Sequence, residues 1–147
     1  MLASIAVVAL ALVGCGGNRW EDRSIQLWPE PSAANRAEFL RQLRADPFQP
    51  SIDASAIPES DLVDGGRFYC AAMAIVQKEN RHVPKQDDVD EAVEEITDRY
   101  NYWRAKVAAS NDHPGLTDDD VAKSTASLVA RYGLTAFCPD QKLDLLR

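Results

Sequence analysis

Hydrophobic and polar positions along the chain fall into three regimes. Leu2–Val13 is an apolar run interrupted only by Ser4. Gly16–Pro31 shows no sustained period. From Ser32 onward apolar residues return at steps of three and four, the spacing of one helical face. A first helix is predicted over Ser32–Ala45, with Ser32 as its cap and Phe39, Leu40 and Leu43 as a short stripe before Pro47 stops it. Pro47–Pro58 carries three prolines and no alternation, so it reads as a loop. A second helix is expected from about Ser60 to Asn80, where Leu62, Gly66, Tyr69, Met73 and Val76 recur and Cys70 borders their face. Gly65-Gly66 lowers helix propensity, and close approach by another helix would account for it.

The third helix, about Asp87 to Ser110, is the most strongly patterned. Val89, Val93, Ile96, Tyr100, Trp103 and Val107 succeed one another by four, three, four, three and four positions. Acids dominate its first half (Asp87, Asp88, Asp90, Glu91, Glu94, Glu95), and Arg99, Arg104 and Lys106 come later, an order that complements the helix dipole. Asn111–Leu116 forms a Pro-Gly turn, and Thr117 ahead of Asp118-Asp119-Asp120 resembles a capping box. The fourth helix continues to about Cys138 through Val121, Thr125, Leu128, Val129 and Tyr132, with Gly133 as a point for a kink and Pro139 as its end. No run of five or six residues alternates, so no sheet is expected. The fold class is all-α, a small four-helix domain.

Composition adds bounds to this pattern. The chain has 147 residues, 46% hydrophobic and 27% charged, with a net charge of −7, which suits one compact soluble domain. An acidic chain with few clustered bases is a poor partner for nucleic acid. Thirteen of the first fifteen residues are apolar and none is charged, so the whole −7 lies beyond Cys15.

The opening run is about twelve residues, too short for a spanning helix of roughly twenty but matched to the core of a secretory signal. It ends in Leu12-Val13-Gly14-Cys15, which resembles the lipobox of bacterial lipoproteins. That resemblance implies removal of residues 1–14, a lipid of the diacylglycerol and palmitate type on Cys15, and a cell-membrane location on the extracytoplasmic face. Two or three acyl chains hold stably where one does not. The usual Lys/Arg n-region is missing, so either the true start lies upstream or the export signal is weak. The competing reading is a buried N-terminal helix with a chance cysteine. Residues 15–31 then form a lipidated tether, 32–142 the helical domain and 143–147 a C-terminal tail. Trp20 and Trp28 sit in the tether; they either lie at the headgroup level, where indole is favoured, or fold back on the domain.

With Cys15 assigned to lipid, Cys70 and Cys138 remain as a pair in an oxidising compartment. They are sixty-eight positions apart, and closing such a loop contributes roughly 4 kcal/mol in the chain-entropy picture. Two unpaired buried cysteines are the alternative. No C-x-x-C is present to make a redox pair.

Catalytic constellations are sparse. His82 and His113 are the two histidines; both lie in predicted loops, outside any zinc or nucleophile–base motif, and read as exposed. Glu94, Glu95 and Asp98 could serve a carboxylate-based hydrolase only from a cleft, and they read as solvated. Asp112 with Asp118, Asp119 and Asp120 lacks the order of a calcium loop. No phosphate-binding glycine motif occurs. No cofactor or metal is expected.

Short motifs nevertheless recur in a familiar order: Phe39-Leu40 with Leu43-Arg44, Gly66-Arg67 leading to Cys70, Pro114-Gly115-Leu116-Thr117, and Phe137-Cys138-Pro139. Over about Phe39–Pro139 the chain resembles a family of small secreted actinobacterial proteins, the domain of unknown function 732. The resemblance implies a Cys70–Cys138 disulfide and a secreted helical fold, and no activity. The stretch between Cys70 and the Pro-Gly turn is longer than is usual there, which would put this chain's own specificity on helix three. The functional expectation is a non-enzymatic, membrane-anchored module that binds an envelope or protein partner. A phage- or prophage-type exclusion or inhibitor lipoprotein is the alternative, and a cell-wall hydrolase built on the helix-three acids a further one.

Overall fold

In the computed structural model the described residues are 26–47, 57–99, 115–141 and 143–144, with the side chains of 80 and 95–99 excepted. They form four α-helices and no strand: α1 (Ala33–Ala45), α2 (Glu59–Asn80), α3 (Gln86–Arg99) and α4 (Asp118–Phe137). The leader with Cys15, and Trp20, lie outside the described residues, as do Tyr100, Trp103, Val107, Asp112 and His113. The expected extension of the third helix from 100 to 110 therefore lies outside them too.

Local chemistry explains the boundaries. The Ser32 hydroxyl accepts the Asn35 amide at 3.1 Å and caps α1. At α4 the capping box is complete: Thr117 Oγ1 accepts the Asp120 amide at 3.1 Å, and Asp120 Oδ2 accepts the Thr117 amide at 3.0 Å. The Thr117 hydroxyl first, and its amide second, hold the Asp120 carboxyl below its ordinary range. The second helix starts one residue before the expected Ser60 and uses Pro58 as its cap without a side-chain bond. It ends on Arg81 in the left-handed region, φ 53°.

The core is one cluster drawn from all four helices. α4 packs on each of the other three, most extensively on α2. The predicted stripes point inward: Phe39, Leu40 and Leu43 of α1, Leu62, Tyr69, Met73 and Val76 of α2, Val89 and Val93 of α3, and Val121, Leu128 and Val129 of α4 are buried. Thr125 is fully buried as well, and its hydroxyl donates to the Val121 carbonyl at 2.8 Å, which satisfies the group inside its own helix.

The α2–α4 contact is a glycine-on-glycine crossing. A Cβ on Gly133 would stand 2.6 Å from the Gly66 Cα, and a Cβ on Gly66 would stand 2.6 Å from Cε2 of Phe137. Gly66 is thus required by close approach, as its position in the stripe suggested. Helix α4 is continuous through Gly133, and the role found for that residue is close contact with α2. Phe137 fills the space beside the crossing and meets Phe39 at 4.8 Å between ring centroids.

Alanine is the better helix former by about 1 kcal/mol, yet Gly133→Ala forces two backbones apart. The expected outcome in urea or thermal unfolding is a net loss of about 1–3 kcal/mol, the range for overpacking.

Candidate functional site

Two features stand apart from ordinary helix packing: a disulfide, and a segment of the N-terminal region held across its ends. Cys70, in the middle of α2, and Cys138, which caps α4, are bonded with S–S 2.08 Å and Cα–Cα 6.0 Å. Both are buried. The bridge lies beside the Gly66–Gly133 crossing and ties the two helices of the largest interface.

The held segment is 27–31, which the sequence assigned to the tether. Trp28 is half-buried, and together with Leu27 it packs on the core. Its indole N–H donates to the Phe137 carbonyl at 3.2 Å. That carbonyl belongs to the last residue of α4 and has no partner within the helix, so the indole caps it. The Trp28 amide donates to the Arg67 carbonyl at 3.4 Å, and Arg67 Nε returns a bond to the Trp28 carbonyl at 2.7 Å. Arg67 Nη1 also meets Glu30 at 2.7 Å and Asp64 at 2.9 Å, and its side chain is only 18% exposed. For Trp28 the fold-back reading is therefore correct.

The other end of the chain is docked too. Gln141 donates to the Cys70 carbonyl at 2.9 Å, Leu143 packs on the core, and the Asp144 amide donates to the Pro84 carbonyl at 2.9 Å. Lys85 and Asp144 form an isolated parallel bridge.

The remaining candidates resolve into structural roles. His82 is exposed, and its Nε2 lies 3.0 Å from Asp88 Oδ2. The same oxygen accepts the Lys85 amide at 2.8 Å, so Asp88 is engaged at the start of α3. Glu94 is exposed; the side chains of Glu95 and Asp98 fall outside the described residues. Asp120 is used by the capping box and Asp119 lies 3.9 Å from Lys123. Among the described residues no three His, Cys, Asp or Glu converge to hold a metal ion.

An open concavity of about 530 Å³ lies against Ala37, Leu40, Arg41, Arg44, Ala45 and Glu59. Both of its guanidiniums are already occupied: Arg41 binds Glu38 at 2.6 Å, and Arg44 binds Glu59. An incoming anion would have to displace a carboxylate. No family model matches the chain, and no curated protein or solved structure does either. Function is therefore read from the chain's own residues.

Two tyrosines complete the polar interior. The Tyr132 hydroxyl donates to Asp46 Oδ2 and links α4 to the end of α1. That bond above all raises the Tyr132 pKa. Tyr69 is fully buried, burial pushes its pKa well up, and its hydroxyl has no hydrogen-bond partner among the described residues. Neither the Arg67–Trp28 contact nor the orphaned Tyr69 hydroxyl carries a signal in local sequence, because each depends on which helix faces which.

Reduction of the bridge should raise the intact mass by about two daltons, and the Cys70→Ala, Cys138→Ala pair should lose roughly 4 kcal/mol in denaturant unfolding. An unpaired buried hydroxyl costs about 1–3 kcal/mol. Tyr69→Phe keeps the ring and removes that group, so thermal melting should show a midpoint equal to or above that of the parent.

Proposed function

We propose that the chain is a lipid-anchored helical domain on the extracytoplasmic face of the cell membrane, a non-enzymatic module that binds an envelope or protein partner. The observation that carries this reading is the buried Cys70–Cys138 bond. Thiols of cytosolic proteins are kept reduced, whereas bridges of this kind persist in oxidising compartments. An apolar leader ending in Val13-Gly14-Cys15 supplies the route to such a compartment and a residue to hold lipid. The resemblance to the domain of unknown function 732 points to the same destination.

Binding is favoured over catalysis by how the charged groups are engaged. Asp88 and Asp120 serve helix starts, and Glu38, Glu59 and Asp64 pair with arginines. A general acid of that class works from a cleft, and Glu94 is exposed. No helix among the described residues is long and apolar enough to cross a membrane, so attachment in this reading falls to Cys15.

Expression of the full chain in a lipoprotein-processing host, with fractionation afterwards, tests the anchor. The parent is expected in the membrane fraction and the Cys15→Ser variant in the soluble fraction; a parent that fractionates as soluble overturns the reading. Affinity capture with the oxidised domain from its native envelope should enrich a partner that a reduced, unfolded control does not.

A further inference from the structure

We propose that residues 27–31 act as a clasped strap, which shortens the reach of the lipid-anchored domain above the bilayer. This rests on the lipid-anchor reading for Cys15. The strap is held at both sides of the α2–α4 crossing. Arg67 of α2 grips the Trp28 carbonyl and Glu30, and the Phe137 carbonyl of α4 receives the Trp28 indole N–H. Those two helices are locked to each other by Cys70–Cys138, three residues beyond Arg67 and one beyond Phe137. A strap fixed to one of two loosely associated helices could peel away with it. A strap fixed to both, across a covalent staple, moves only with the whole domain.

The length of chain ahead of the strap then sets a ceiling on reach. Twelve peptide steps separate Cys15 from Leu27, the first residue packed on the core, a fully extended span of about 40–43 Å. Were the strap free as far as Ser32, the cap of α1, seventeen steps would be available and the ceiling would rise to about 56–61 Å. The clasp therefore removes about 17 Å of reach.

The chain's −7 lies wholly after Cys15, and the charges of Arg19, Glu21, Asp22 and Arg23 cancel. The domain itself carries the negative charge and is repelled by an anionic lipid surface.

Proteinase K digestion of the full oxidised chain with intact-mass readout tests the clasp. The parent's resistant core should begin near Leu27. In Arg67→Ala and in Trp28→Phe, which keeps an aromatic ring and loses the indole N–H, the start should move toward Ser32. A parent core already trimmed to Ser32, or variants trimmed like the parent, overturns the strap.

Reach is read with the lipidated chain in phosphatidylcholine vesicles, a donor dye on Ser124→Cys, which lies at an exposed position of α4, and an acceptor dye on the headgroups. Trp28→Ala with Arg67→Ala should lose energy transfer relative to the dye-labelled parent; equal transfer overturns the reach limit. A parent that keeps its strap in the protease assay but never attaches to vesicles defeats the anchor reading and leaves the clasp standing.

Discussion

The close approach of Gly66 to Gly133 is the constraint on which the rest of the domain depends. Two helix backbones can come this near only where neither residue carries a Cβ. That proximity brings the bonded Cys70 and Cys138 within reach of each other, places Phe137 against Phe39 of α1, and sets the Arg67 and Phe137 carbonyls where one tryptophan can use both. A wider crossing would leave the disulfide beyond its Cα–Cα range and the strap with one partner at most.

The disulfide and the crossing reinforce each other. In an unfolded chain the bridge closes a loop of 68 positions and removes entropy from that state. In the folded chain it lies buried beside the tightest contact, where the helices are already held. The same region carries the segments that flank α1 and α4. The strap before α1 and the Gln141–Asp144 segment after α4 both return to α2 or to the loop beyond its C-terminus. A small domain gains from such returns, since each covers core edge that four short helices leave open.

Much of the helical layout was legible in local pattern. Ser32 and Thr117 mark the starts of α1 and α4 by side-chain chemistry that operates within three residues, and the structure uses both. The buried stripe Leu62, Gly66, Tyr69, Met73 and Val76 results from the 3.6-residue period alone. Less legible was the start of α2, where Pro58 caps without a side-chain bond and Ser60 looked the better candidate. The assignment of 27–31 to a tether missed their docking, because the segment has no period and its bonds span 39 and 109 positions. Trp28 could be narrowed to two environments from sequence, and only the position of the α4 terminus chose between them.

The sequence by itself determined the helical class, the inward faces, the caps that start α1 and α4 and the pair of cysteines, since each of these is written in spacing over a few residues or in residue type. Tertiary structure alone decided that Gly133 is a contact, that Arg67 is a clamp, that Trp28 belongs to the domain, and that the Tyr69 hydroxyl is orphaned. The physical reason is the same for all four. Each depends on the distance and facing of two helices, and periodicity fixes a helix's own faces without fixing which neighbour they meet or how closely.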